Sequence, residues 1–225
     1  MRSCFCVVGW HYPAQFYEAL YRVPGEKYII NHREADAAAD LPFYRLIQND
    51  LYAFPNRGLD FGAYHQFNES FDLHSHDFVV YCHDDIVIND ARFARVIEAR
   101  FTADPALMVI GNGNNGTDSE FRYGKYSERM FWPDDEDFVL RTVRGSFFAA
   151  RTELFAAIGN FPVYWKAGIE NMGKGNVSLR NFAYLVTKRC GREAIGYLEP
   201  ESWLETRYLV EFRRGERVST AHVER

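Results

Sequence analysis

The chain has 225 residues, 47% hydrophobic and 25% charged, an ordinary globular balance with enough length for one self-supporting core. Its formal net charge of −5 excludes a basic nucleic-acid footprint. No stretch reaches the length of a membrane span, and the opening apolar run breaks too early for a secretory leader, so the expectation is a soluble, cytoplasmic protein with no transmembrane segment.

The predicted elements alternate between strand and helix. Cys4 to Trp10 is a β-branched apolar run, read as the first strand. Pro13 suits the start of a helix over Ala14 to Tyr21. Lys27 to Asn31 is a second strand, completing a βαβ unit. Phe43 to Asp50 has helical spacing, and Leu51 to Phe54 reads as a short strand. In Pro55 to Phe67, Asn56, Gly58 and Asp60 supply turn chemistry, with Asp60 placed to cap the following helix. Gly62 and Ala63 keep that helix slim enough for close approach of backbone or ligand.

The stretch Asp77 to Asp90, DFVVYCHDDIVIND, organises the rest. Phe78 to Cys82 reads as a strand buried on both faces. It ends in His83, Asp84 and Asp85 before Ile86 to Ile88 resume the apolar character. Adjacent carboxylates at a buried strand end are costly without a compensating cation, ligand or set of N–H groups. They read either as a loop cap or as a metal and nucleotide site, at the edge where open α/β sheets place ligands.

Ala91 to Arg100 is an amphipathic helix and Leu107 to Ile110 a further strand. Gly111 to Tyr126 is a long Gly/Asn-rich loop. Val139 to Ala150 reads as one strand interrupted by Gly145, and Thr152 as the cap of a helix to Ile158. Ser178 to Cys190 is a helix with Gly191 after its end, and Ala194 to Leu198 a last strand. Cys4, Cys6, Cys82 and Cys190 read as small buried hydrophobes of a reducing compartment. The 16% aromatic content points first to a packed core and second to a ring-stacking surface. Residues 1–207 make the expected domain, and 208–225 a charged tail.

The order of NRGLDFGAY, YCHDDI, RGSFFAARTELFAAIGNF and IENMGKGNVSLRNFAYLVTKRCG resembles the GT-A glycosyltransferases, most closely the family 2 type. NRGLDFGAY also resembles a subgroup linked to bacterial polysaccharide and rhamnan synthesis. The resemblance implies an α/β fold: a single GT-A, Rossmann-like domain with a mostly parallel central sheet flanked by helices. It implies metal-dependent transfer of a sugar from a nucleotide-sugar donor to a hydroxyl of a glycan, lipid-linked or protein acceptor, with Mn2+ or Mg2+ as cofactor.

Residue by residue, the resemblance makes Asp85 the metal ligand. Asp84 would contact the ribose or assist the metal, and His83 would ligate or hydrogen-bond nearby. Val8, Gly9 and Trp10 would lie by the base and ribose, with Trp10 stacking on the base or buried as core. Asn56, Gly58 and Asp60 would sit near the nucleotide. The family's Asp at the end of the second strand is here Asn31, which alters the base contact. Its acidic pair is here Glu170-Asn171, leaving Glu170 as the candidate general base, with Asp134, Asp135 or Asp137 as other acids. His222 is the only late histidine that could reach a metal. Aromatics such as Tyr123, Tyr126, Trp132 and Trp165 could stack on sugars or simply pack. The alternatives are a divalent-metal hydrolase, deacetylase- or phosphohydrolase-like, and a nucleotide-sugar-binding module without catalysis.

Overall fold

A computed structural model of the chain describes residues 1–33, 41–112, 120–122, 130, 139–164, 175–198, 204–206, 211–213 and 216–218. In chain order the first half runs β1 (Ser3–Gly9), α1 (Ala14–Leu20), β2 (Glu26–Asn31), α2 (Tyr44–Ile47), β3 (Leu51–Ala53), α3 (Leu59–Ser70), β4 (Phe78–His83), β5 (Ile86–Ile88) and α4 (Phe93–Ala103). The second half runs β6 (Val109–Gly111), β7 (Glu120–Arg122), β8 (Val139–Arg141), β9 (Phe147–Arg151), α5 (Leu154–Ile158), α6 (Gly175–Cys190), β10 (Ile195–Tyr197), β11 (Leu204–Thr206), β12 (Glu211–Arg213) and β13 (Glu216–Val218). Seven strands form one sheet in the order β10-β6-β9-β4-β1-β2-β3. All its pairings are parallel except those of β9, which runs antiparallel between β4 and β6.

Side chains alternate between sheet faces, and each face has its own core. Cys4, Cys6, Val79, Tyr81, Phe148 and Ala150 point one way, against α3, α5 and α6. Phe5, Val7, Val80, Cys82, Phe147 and Ala149 point the other way, against α1 and α4. Among the described residues the aromatics are largely core: Tyr81–Phe161 and Phe161–Phe182 ring centroids lie 4.8 and 4.9 Å apart. Such pairs contribute about 0.5–1.5 kcal/mol each beyond simple burial. Cys4, Cys6 and Cys82 are buried free thiols as expected, whereas Cys190 is only half-buried.

Several local expectations are corrected. The Phe43–Asp50 pattern yields only the single turn α2. Val139 to Ala150 is two strands in different sheets, with β8 pairing β7 and β9 entering the main sheet. Asp60 does not cap α3. The cap position is Gly58, at φ 90°, and Leu59 follows at φ 59°. Two successive left-handed residues fold the chain tightly onto its own helix, and a Cβ on Gly62 would lie 1.7 Å from the Arg57 carbonyl oxygen. The close approach anticipated at Gly62 is therefore one of backbone. Thr152 does not cap α5; its hydroxyl donates to the His76 carbonyl at 2.7 Å, tying β9 to the start of β4. Within the segment expected as a tail, β12 and β13 pair as a hairpin.

Among the described residues, no helix is long and apolar enough to cross a membrane.

Candidate active site

The strand order reverses at β1. The chain leaves it for β2 and β3 on one side, then returns to place β4 on the other. In such sheets the crevice at the carboxyl ends of the flanking strands is the natural ligand site. Val8 pairs with both Ile30 and His83, so the ends of β1, β2 and β4 are level. This brings together Trp10, Asn31, His83, Asp84 and Asp85. Because β9 is antiparallel, its beginning enters the same edge: the His83 N–H donates to the Ser146 carbonyl at 3.0 Å. Gly145 has a local reason there, since a Cβ would lie 3.0 Å from Asp60 Oδ2.

Asp84 and Asp85 are both buried, and their surroundings differ sharply. Asp84 Oδ2 accepts the backbone N–H groups of Trp10, His11 and Tyr12 at 3.0, 3.0 and 2.7 Å, and the Tyr17 hydroxyl at 3.1 Å. Burial raises its carboxyl above the usual range, with the neighbouring Asp85 charge adding to this and the N–H donors opposing it. The carboxylate is engaged by the β1–α1 turn.

Asp85, by contrast, has Oδ1 buried and without a hydrogen-bond partner among the described residues. Its nearest partner is His83 Nδ1 at 3.6 Å, beyond hydrogen-bond reach. His83 Nε2 faces Asp60 Oδ2 at 3.3 Å. Burial disfavours the imidazolium, but the carboxylates of Asp60 and Asp85 on either side outweigh it and raise the His83 pKa. Both ring nitrogens of His83 are thus turned to carboxylates.

The remaining predicted residues fall around this corner. Val8 is buried in the core, and its carbonyl accepts the Asp84 N–H at 3.2 Å. Trp10 is 40% exposed, which excludes the core alternative for it. Asn56 lies in the segment leading from β3 to the Gly58 turn. Glu170, Asn171, Asp134, Asp135, Asp137, Tyr123, Tyr126, Trp132, Trp165 and His222 lie outside the described residues.

Three neighbours were not singled out from sequence. Tyr12, at φ 53°, lays its ring over Gly9, where a Cβ would lie 2.7 Å from the tyrosine oxygen. Its hydroxyl donates to Asn31 Oδ1 at 2.8 Å, and burial followed by the Asp84 charge holds it protonated. Arg33 donates its N–H to the same Asn31 oxygen at 3.0 Å and Nη1 to the Trp10 carbonyl at 2.9 Å. His32 is 8% exposed, with Nε2 unbonded among the described residues. The residue following Gly9-Trp10-His11 and the pair after Asn31 carry no spacing signal that marks them.

Burial, only partly offset by Asp60, lowers His32 to about 4. The unfolded chain takes up a proton near the ordinary histidine value while the folded chain stays neutral. Stability is then fully present above that value and is lost as pH falls toward the folded pKa, by up to about 3 kcal/mol. Urea midpoints at a series of pH values are expected to decline more steeply in the wild type than in His32→Gln between pH ~6.5 and ~4. Parallel curves would disprove the assignment.

Among the described residues, no three His, Cys, Asp or Glu side chains converge into a complete metal cage. One buried carboxylate oxygen without a partner still suits a hard divalent cation, which keeps several waters and takes few protein ligands.

The mixed seven-stranded sheet, the helices on both faces and the acidic corner at the switch point define a GT-A fold. No protein-family model matches the chain, and no curated protein matches it in sequence. Solved structures match its fold. Glucosyl-3-phosphoglycerate synthase from Mycobacterium tuberculosis, in complex with Mn2+, uridine diphosphate and glucosyl-3-phosphoglycerate, is similar with TM-score 0.59 and 11% identity over 92% of this chain and 72% of that one. The same enzyme with Mn2+, UDP-glucose and phosphoglyceric acid gives TM-score 0.57 and 10% identity, with the same coverage. Residues 1–349 of TarS from S. aureus give TM-score 0.54 and 14% identity over 91% of this chain and 60% of that one.

Proposed function

We propose that the chain is a metal-dependent glycosyltransferase that moves a sugar from a nucleotide-diphosphate donor to a hydroxyl of a glycan, lipid-linked or protein acceptor. The observation that carries this reading is the buried Asp85 Oδ1 at the carboxyl end of β4, which has no hydrogen-bond partner among the described residues, on a fold whose solved examples include complexes with Mn2+ and UDP-glucose. Mg2+ or Mn2+ held by Asp85 would supply the positive charge that a departing nucleoside diphosphate needs. His83, clasped by Asp60, flanks Asp85 and keeps the corner from carrying its carboxylates uncompensated. Exposed Trp10 offers a ring face for the base. Gly58 and Asn56 shape the approach to α3. Glu170 is our candidate for deprotonating the acceptor hydroxyl. The transferase domain is assigned to residues 1–207, with 208–225 as an appendage.

The hydrolase alternative needs further histidines converging with the acids on one metal, and among the described residues no three such side chains do so. His74 and His76 instead precede β4, at the amino edge of the sheet, where His76 Nε2 lies 3.5 Å from Glu26. The non-catalytic alternative draws on Asn171, which stands where a carboxylate base would serve. Thermal midpoints against UDP, GDP, CDP and dTDP, each with and without Mn2+, test the reading. One nucleotide is expected to raise the midpoint, and to raise it further with metal, because a ligand at 100 times its Kd stabilises the folded state by about 2.7 kcal/mol. No response to any of the four would sink the proposal; binding without sugar turnover would favour the non-catalytic module.

A further inference from the structure

The Asp84 carboxylate, which accepts three consecutive N–H groups, begins a chain of hydrogen bonds that leads away from the acidic corner. Its 2.7 Å bond from the Tyr12 N–H helps hold that residue in its left-handed conformation. From there the tyrosine hydroxyl reaches across Gly9 to Asn31 Oδ1 at 2.8 Å. Asn31 is 1% exposed, and its oxygen also accepts the Arg33 N–H, which sets the turn after β2. Arg33 closes the loop by donating to the Trp10 carbonyl, with its guanidinium carbon 5.9 Å from the Trp10 ring centroid. The Trp10 N–H in turn donates to Asp84 Oδ2 at 3.0 Å. Five residues, Asp84 just after β4, Trp10 and Tyr12 in the β1–α1 turn, and Asn31 and Arg33 at the end of β2, are thus locked into one circuit. Its outer member is an exposed indole beside a guanidinium.

A planar indole with an adjacent fixed cation suits one ligand chemistry: an aromatic ring carrying anionic groups, as in a nucleoside diphosphate. Nearby His32, nine-tenths buried with Nε2 unbonded among the described residues, stands at the same strand end. The Asn31 oxygen is already bonded twice, so it has little capacity left to accept from a base. We infer that Asp84 and Tyr12 are positioning residues for nucleotide binding, acting through Asn31 and Arg33 to hold the Trp10–Arg33 platform, and that Asp84 does not assist the metal. This rests on the proposed transferase reading.

The test uses the full chain and two readouts: UDP, GDP, CDP and dTDP affinity by calorimetry in Mn2+, and Mn2+ affinity alone by electron paramagnetic resonance. Tyr12→Phe keeps the ring and its stacking on Tyr17 and deletes only the link to Asn31. It is expected to weaken the preferred nucleotide about tenfold and to leave Mn2+ affinity unchanged. Asp84→Asn is expected to show the same split with a larger loss, and if it does not fold, Tyr12→Phe decides alone. Asp85→Asn is expected to show the reverse, losing Mn2+ affinity first. Unaltered nucleotide affinity in Tyr12→Phe overturns the inference, as does a parallel loss of nucleotide and Mn2+ affinity. A wild type that binds none of the four nucleotides overturns the transferase reading and the inference with it.

Discussion

Asp85→Asn is expected to lower sugar transfer by about a thousandfold while changing the stability of the ligand-free protein little, since relief of a buried charge and loss of its pairing with His83 oppose each other. The amide conserves shape and volume, so packing around the 4% exposed side chain is retained. What is lost is the charge. In the wild type one buried carboxylate oxygen has no hydrogen-bond partner among the described residues, and the cost of an ionised group so placed is offset in part by His83 Nδ1 at 3.6 Å. Residues kept at such a cost are commonly kept for function. A divalent cation at a developing diphosphate charge is worth several kcal/mol, and each 1.36 kcal/mol is tenfold in rate, which sets the thousandfold scale. Sugar-nucleotide turnover, with thermal midpoints in Mn2+ and in chelator, checks both halves. Turnover within tenfold of wild type with Mn2+ dependence intact would remove Asp85 from the metal assignment. In the same assay Glu170→Gln retaining full turnover would remove Glu170 as the base.

The strands were legible because burial on both faces leaves a continuous apolar run, as in Phe78 to Cys82, and such runs are compact signals. The parallel order followed from the helices between them. The acidic corner was legible because two carboxylates at the end of such a run violate the local pattern. Roles within the corner were not. Asp84 and Asp85 are adjacent and identical in sequence, and what separates them is the turn of Trp10 to Tyr12, more than seventy residues earlier. Asp60 looked like a cap by spacing, but a left-handed Gly58-Leu59 turn moved the helix start and left its carboxylate facing His83. Gly145 looked like a break within one strand. Its neighbours in fact serve two sheets, and its missing side chain makes room for Asp60. The misses concern contacts supplied by distant segments or a local left-handed turn, neither of which periodicity encodes.

The same contrast gives the largest expected effect on stability. Asp84→Ala is expected to cost about 3–5 kcal/mol of unfolding free energy, the scale for removing one side of a buried charged contact. The loss does not come from charge alone, since burial already disfavours the ionised form. It comes from the donors left behind. The N–H groups of Trp10, His11 and Tyr12 and the Tyr17 hydroxyl all end on this carboxylate. Tyr12 and Tyr17 are nearly or fully buried, and each buried donor left unmatched costs about 1–3 kcal/mol. Asp84→Asn keeps one acceptor oxygen in nearly the same place and should cost about half as much. Urea unfolding of Asp84→Ala, Asp84→Asn and Asp85→Asn side by side is the measurement. A large loss, an intermediate loss and almost none is the expected order. If Asp84→Ala and Asp85→Asn were equally mild, the carboxylate would not be what holds the β1–α1 turn. The circuit from Asp84 through Tyr12 to Trp10 would then have no anchor.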